Sequence, residues 1–485
     1  MASNALASQP QKKKYVSTSE MVFYFIGTFL MTNMQGMVNG YRQAYFINVL
    51  TLDSNMVSTI NTVCSVASFA LNFFLTMYID RQPKPGQTKF KRHVWLWSIP
   101  VGIATVLHYY TPNFILANTW LILIYMIGIS LVYTVSNGLA GQLNSIAVVM
   151  SPDNKERDTV LSFRGIVNAV GNSAILVVLL VAGFITKDEG LQYIGSAVIS
   201  SLVGVVFMLI ACSKVKERVT YESKRVNPLV GFKDVLSNKY ARIVLVSEFL
   251  KSFRKISSYM GIFLAAALLG STSKFLLFGL PTGIGTAVGM LIIKFLLNKF
   301  NSKVLYIASG VYSIIANTAA FIIGYLYFKT PNTVLLVLFI AFLFFIGLQF
   351  GASNLLPSMF QADILEDIEV KTHKRLDASI GFVCSVGATI SSTIANAVAP
   401  KILYGENSII QYIQPAADVY PEQSEWTKIS MLFFYTVVHG LMMFLAGVPF
   451  FFYKLTGETK DEVHEAVMAY RAEVEQRNEQ NSKAE

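Results

Sequence analysis

The run IVLVSEFLKSFRKISSYMGIFLAAALLG carries Lys251, Arg254 and Lys255 close together, with Glu248 three residues before the first of them. At a helical rise of about 1.5 Å per residue, these cations lie roughly 12–18 Å along from Ile243, inside a segment long and apolar enough to cross a bilayer. Arg164 opens a second apolar run and Arg42 lies in the later part of a third, so five cations stand against one acid, a formal excess of four. An ionisable side chain at such depth costs at least about 2.5 kcal/mol unless it lines a wet cavity or finds a partner. A cavity lined by Arg and Lys and short of acids prefers an anion, because guanidinium grips a carboxylate, sulfonate or phosphate through paired hydrogen bonds. The competing account lets Arg42 and Arg164 snorkel, and starts the Lys251 helix among the headgroups. Only about fourteen residues separate Lys255 from Gly270, too few to span alone, which favours the cavity.

Groups able to carry a proton through the membrane are few. Glu248 is the main buried acid and the proton-coupling candidate; its rival role is to neutralise Lys251 on the same helical face. His108 and His439 fall near expected helix ends. Asn137, Gln142, Asn168, Gln349 and Asn354 offer amides for solute hydroxyls, with Tyr45 or Trp97 as apolar platforms, and each amide is equally well explained by helix packing. Cys64, Cys212 and Cys384 sit inside apolar runs, which indicates packing and neither a disulfide framework nor a thiolate metal site. There is no His/Cys/Asp cluster, phosphate-cradling Gly–Lys loop or Ser–His–Asp set, so no enzyme activity, metal or cofactor is expected.

The elements that position these residues follow from composition. The 485-residue chain is 53% hydrophobic and 14% charged, with mean hydropathy +0.50, too few charges to cover a soluble globule of that size. Its net charge of +10 sits in short loops and forms no stripe, which argues against nucleic acid. Twelve apolar runs are long enough to span: Met21–Phe46, Val57–Ile79, Val94–Tyr110, Trp120–Met150, Val160–Thr186, Ile194–Cys212, Ile243–Leu269, Lys274–Leu297, Val304–Phe328, Val334–Met359, Ala378–Tyr404 and Ile429–Tyr453. Lys and Arg concentrate in alternate connections: Lys12 to Lys14, the cations after Asp80, the run from Lys214 to Arg242, Lys299 with Lys303, and Lys371 with Lys374 and Arg375. That asymmetry predicts both termini on the cytosolic side. The expected fold is an all-α, multi-pass cell-membrane protein with a cytosolic tail (1–20), a six-helix bundle (21–212), a cytosolic linker (213–241), a second six-helix bundle (242–454) and a cytosolic C-terminal helix or tail (455–485). In that last segment Val463, Val467 and Met468 lie near one side of an amphipathic surface helix, read as a simple tail.

Three connections carry a family resemblance. IDRQPKPGQTKFKRHVW, with Asp80 and Arg81, resembles the loop after helix two in the glycoside–pentoside–hexuronide:cation symporters, the melibiose-permease-like branch of the major facilitator superfamily. QADILEDIEVKTHKRLDASIGF resembles that family's loop between helices ten and eleven through Ala362, Asp363, Asp367 (displaced by one position), Glu369, Lys371 and Arg375. KERDTVLSFRG resembles its entry into helix five through Arg157 and Arg164. Asp80, Arg81, Arg157, Asp363, Asp367, Lys371 and Arg375 are therefore candidate gating charges; as merely solvated loop charges, each exposed pair would contribute only about 0–1 kcal/mol.

The resemblance implies a transporter of small polar solutes and also shows a departure. The family's two cation-binding carboxylates on helix two correspond here to Ser68 and Asn72, while Thr134 matches a helix-four Thr of the same site. Asn137 stands where a sugar-binding Asp is usual, Thr32 at another on helix one, and Thr389 at a helix-eleven Lys. Na⁺ needs hard oxygen ligands and usually a countercharge, which Ser68, Asn72 and Thr134 do not supply, so H⁺ or no coupling ion is favoured over Na⁺. The expectation is a monomeric secondary transporter in the lipid bilayer, moving a glycoside or related polar solute, uronate and sulfonated sugar included, by alternating access. Its candidate solute ligands are Thr32, Arg42, Asn137, Arg164, Asn168, Lys251, Arg254, Lys255, Asn354 and Thr389. A proton-coupled or uncoupled carrier of a non-sugar organic anion is the alternative; a channel or receptor on the same fold ranks below both.

Overall fold

The computed structural model describes residues 15–79, 88, 90–151, 154–218, 228–372, 377–415 and 420–484, and among them there is helix and no strand. The helices in chain order are α1 (Thr18–Ala44), continued by a π-helical turn at Tyr45–Val49, then α2 (Ser54–Ile79), α3 (Lys91–Leu107), α4 (Asn113–Leu116), α5 (Thr119–Ala140) and α6 (Leu143–Val149). There follow α7 (Asn154–Ile185), α8 (Glu189–Lys214), α9 (Pro228–Ser237), α10 (Lys239–Ser252), α11 (Lys255–Leu269) and α12 (Leu276–Leu296). The last six are α13 (Ser302–Lys329), α14 (Thr333–Thr372), α15 (Asp377–Leu403), α16 (Glu425–Tyr435), α17 (Val437–Gly447) and α18 (Glu458–Ala484).

Starts and stops follow local chemistry. The side chains of Asn118, Asn238, Asn301 and Ser424 accept backbone N–H groups in the first turns of α5, α10, α13 and α16, which satisfies donors a helix leaves open. Gly270 closes α11 with φ +74°, a conformation glycine adopts without a Cβ penalty. Ten helical stretches among the described residues are long and apolar enough to cross a membrane. Two further predicted runs are not among them: α3 has 17 residues, and the run after Ile243 is divided into α10 and α11, of 14 and 15 residues.

Packing divides the chain into two compact units. The first comprises Met1–Arg42, Ala70–Val178 and Tyr193–Ser223; the second comprises Gln43–Phe69, Leu179–Gln192 and Lys224–Glu485. In the first, small residues let helices approach: a Cβ on Gly36 would meet the Asn172 carbonyl at 2.7 Å, and one on Gly171 the Phe29 carbonyl at 2.6 Å. The end of α8 is stapled to α1 by Arg218, which donates to both oxygens of Glu20 at 2.8 and 2.7 Å. That pairing moves the Arg218 guanidinium further up from its ordinary value. Glu217 accepts the Phe90 and Lys91 N–H groups at 2.9 and 2.7 Å at the start of α3.

In the second unit, Gly285 and Gly289 of α12 lie against Gly347 and Gly351 of α14, so close that a Cβ on any of them would strike the partner backbone. The rings of Phe360 and Phe450 meet at a tilt with centroids 4.4 Å apart, and Tyr306 lies 4.6 Å from Phe450, at the heart of this unit's core. Segment 43–69 is held there by polar bonds: Ser58 to the Ala397 carbonyl (2.6 Å), Asn61 to the Asn396 carbonyl (3.1 Å) and Tyr404 to the Leu52 carbonyl (2.8 Å). The C-terminal helix departs from the simple tail expected of it. α18 docks on α14 through Lys460 to Asp363 (2.8 Å) and His464 to Glu366 (3.1 Å), with Val467 fully buried.

Candidate functional site

The second unit gathers charge where its helix breaks. No Pro or Gly interrupts KSFRK, yet the chain turns at Phe253 and Arg254 between α10 and α11. There Phe253 N donates to the Leu250 carbonyl (3.3 Å) and Arg254 N to the Lys251 carbonyl (3.1 Å), the tighter spacing of a 3₁₀ turn. Discontinuous membrane helices of this kind commonly mark solute or ion sites. Lys251 Nζ pairs with Glu248 Oε1, both side chains largely buried at 12% and 13% exposure. Arg254 lies over the Phe350 ring at 4.8 Å, and that ring meets His439 edge-on at 5.0 Å. Beside them Ser247 donates to the Ala446 carbonyl at 2.7 Å and lies 3.1 Å from the Tyr306 hydroxyl.

Two buried groups near this cluster have unmet hydrogen-bonding capacity. Gln349 of α14 is 2% exposed and His439 of α17 is 4% exposed. Among the described residues neither amide atom of Gln349, nor Nε2 of His439, has a hydrogen-bond partner. Native interiors rarely leave such groups unmet, so their burial here is a feature to be explained by function. Lys255 and Asn354 are exposed, and Thr389 is half-buried.

The first unit disposes of its cations differently. Arg42 donates to Ser130 Oγ at 3.3 Å, the same hydroxyl that lies 3.3 Å from His108 Nε2, while His108 Nδ1 is 2.7 Å from the Ala104 carbonyl. His108 follows α3 directly, as expected, but is fully buried, edge-on to Tyr133 at 5.3 Å. Gln35 donates to Asn137 Oδ1 at 2.8 Å, and the Thr134 hydroxyl donates to the Ser130 carbonyl at 2.8 Å. Arg164 donates to the Asn144 carbonyl (2.7 Å) and Asn168 to Asn144 Oδ1 (2.9 Å), which ties α7 to the first turn of α6. Thr32 directs its hydroxyl to the Thr28 and Phe29 carbonyls of its own helix, both at 2.9 Å.

The remaining candidates are scattered. Asn72 lies exposed on α2 in the first unit, whereas Ser68, one turn earlier, belongs to the second. Asp367 pairs with Lys371 (2.6 Å) and accepts from Asn238 Nδ2 (2.6 Å), while Asp363 takes Lys460. Arg157 is half-buried near the start of α7. Asp80, Arg81 and Arg375 lie outside the described residues. Reading by charge and spacing missed Glu20, Glu217 and Arg218, whose partners lie more than a hundred residues away.

An all-helical chain with ten helices long and apolar enough to cross a membrane among its described residues suits a solute carrier, and comparison with known proteins decides the family. The model described as MFS/sugar transport protein matches residues 23–457. The chain belongs to that family. It is therefore a multi-pass secondary transporter of the cell membrane and no enzyme, in agreement with the resemblance carried by its three loops. Among relatives, YagG of Escherichia coli strain K12, named as a candidate glycoside/cation symporter, is 23% identical over 449 residues, 88% of this chain and 90% of its own. YnaJ of Bacillus subtilis strain 168, named an uncharacterized symporter, is 24% identical over 460 residues, 91% of this chain and 93% of its own. The crystal structure of a D-xylose-proton symporter shares the fold with a TM-score of 0.64 at 14% identity, covering 92% of this chain and 99% of that one.

Proposed function

We propose that this transporter carries a glycoside bearing an anionic group, such as a uronate or sulfonated sugar, by alternating access through twelve spans in two six-helix bundles with both termini cytosolic. The observation that carries the reading is the placement of Lys251 and Arg254 at the break between α10 and α11, inside an apolar run, with Glu248 the acid beside them. A cation at that depth is retained for a purpose, and Arg beside an aromatic ring can still present its outer N–H groups to a carboxylate or sulfonate. Gln349 supplies a buried amide in the same unit for a hydroxyl. The name of YagG, a candidate glycoside/cation symporter, supports a sugar as the rest of the solute. At the positions of the family's cation-binding carboxylates stand Ser68 and Asn72, so the reading assigns no Na⁺ site to α2.

A second reading, a non-sugar organic anion, draws on the same cluster, because Lys251 and Arg254 recognise charge and not a sugar ring. A thermal-shift series on purified protein separates the two. Glucuronate and sulfoquinovose are expected to raise Tm more than xylose or melibiose, with Na⁺ and Li⁺ adding nothing. Stabilisation by neutral sugars alone, enhanced by Na⁺, overturns the anionic reading; stabilisation by simple dicarboxylates and not by sugar acids selects the alternative.

A further inference from the structure

Three helices of the second unit gather unmet polar groups around Phe350. Arg254 lies on the face of that ring at 4.8 Å and His439 of α17 meets it edge-on at 5.0 Å, so one aromatic side chain joins the cation to the imidazole. Gln349 is its neighbour in α14. Gly347 and Gly351 lie against α12, and Gln349, two residues from each and so roughly 200° around the helix, faces the opposite side. On α13, Asn317 lies against Gly440, the residue after His439: a Cβ on the glycine would meet the Asn317 Cβ at 3.0 Å. Asn317 is fully buried, as Gln349 and His439 nearly are. Among the described residues Gln349 Oε1 and Nε2, His439 Nε2 and Asn317 Oδ1 have no hydrogen-bond partner. One orphaned atom would be a local defect; four of them on three adjacent side chains form a pattern.

We infer that His439, together with Gln349, reads neighbouring hydroxyls of a solute whose anionic group is held by Lys251 and Arg254, so that the solute is a polyhydroxy acid and a carboxylate without hydroxyls is rejected. The inference rests on the anionic reading above and narrows it. A primary amide offers N–H donors and a carbonyl acceptor, and Nε2 donates or accepts according to tautomer. A vicinal diol has the same mixed character, since each hydroxyl is both donor and acceptor. A hydrocarbon ring of the same size offers neither and leaves the buried atoms of Gln349 and His439 unmet, which costs far more than a missing methylene does. The two halves of the site therefore divide the work. Lys251 and Arg254 accept any anion, and the hydroxyls decide which anion stays.

Calorimetric titration of the full-length protein with glucuronate and with cyclohexanecarboxylate, a ring acid that keeps the charge and lacks the hydroxyls, separates the two halves. Wild type is expected to bind glucuronate at least about 100-fold more tightly. His439→Phe and Gln349→Leu are each expected to weaken glucuronate about 10- to 100-fold and to leave cyclohexanecarboxylate within about threefold, which closes the gap. His439→Gln keeps a hydrogen-bonding group and is expected to recover part of the loss. Comparable wild-type affinity for the two acids overturns the inference and leaves the anionic reading standing, a result that needs no variant. Equal weakening of both acids in the variants also overturns it, because packing or a resident water then accounts for the unmet groups. Glucuronate affinity unchanged in His439→Phe overturns it as well. If neither acid binds wild type, the anionic reading falls and the inference with it.

Discussion

In the first unit the chain breaks between α5 and α6 at Gly141 and Gln142; in the second it breaks between α10 and α11 at Phe253 and Arg254; and a basic side chain stands beside each. At the first break the guanidinium of Arg164 is fully explained by structure. It crosses from α7 to the Asn144 carbonyl in the first turn of α6, and Asn168 and Tyr24 bond to the same residue. At the second break Lys251 and Arg254 have side-chain partners instead. Lys251 turns to Glu248, Arg254 to the face of Phe350, and the nearby Gln349 amide and His439 Nε2 have no partner among the described residues. At the first break a backbone carbonyl takes the cation, although Asn168 Oδ1 beside it is also buried without a partner among the described residues; at the second the cations take a carboxylate and a ring. On the proposed function, that difference separates a cation that holds the fold from cations that hold a solute.

Substitution at the two breaks tests that distinction most strongly. Lys251→Gln is expected to weaken glucuronate binding about 10- to 100-fold, as loss of a charged hydrogen bond of about 1.5–3 kcal/mol would, while neutral-sugar affinity stays within twofold of wild type, roughly the level at which uncharged contacts dominate. Arg164→Gln is expected to lower Tm, with about 1.5–3 kcal/mol lost with one charge-assisted hydrogen bond to a carbonyl that Tyr24 still bonds, and to shift anionic and neutral affinities together. Selective loss of anion binding in Arg164→Gln, or none in Lys251→Gln, would reverse the assignment.

These roles were unequally legible beforehand. The three-residue spacing of Glu248 and Lys251 places them on one helical face, so their pairing could be read from local periodicity. The break after Lys251 could not, because KSFRK contains neither Pro nor Gly and its apolar flanks read as one continuous span. Snorkelling was a fair alternative for Arg42 and Arg164; only the fold supplies Ser130 and the Asn144 carbonyl as partners. Likewise Asp363 looked like a partner for cations a few residues on, yet Lys460 arrives from α18 nearly a hundred residues later. Helices and their apolar faces are encoded by short-range pattern, whereas ion-pair partners are chosen by which faces the packing brings together. The close contact of α12 and α14 is intermediate: the small-residue spacing of Gly285 with Gly289 and of Gly347 with Gly351 is visible, but their mutual approach is not.

A gentler probe of the first break is Asn168→Ala. It removes one hydrogen bond to Asn144 and leaves Arg164 in place, so about 1 kcal/mol of stability should be lost. Chemical denaturation or thermal unfolding should register that loss, with glucuronate affinity unchanged. A change in solute affinity larger than the change in stability would show that Asn168 also reaches the solute.

The smallest effect is expected from the second break's aromatic wall. Phe350→Leu keeps apolar volume against Arg254 but removes the ring face, whose attraction for a guanidinium is worth about 0.5–1 kcal/mol. If the ring only shelters Arg254, the variant should lose stability alone. If instead the ring fixes the guanidinium plane for a bidentate grip on the solute, glucuronate affinity should fall about two- to fivefold while xylose affinity holds, because only the anion uses that plane. The second outcome follows from the geometry, since Phe350 also meets His439 and so orients two of the groups around the break at once.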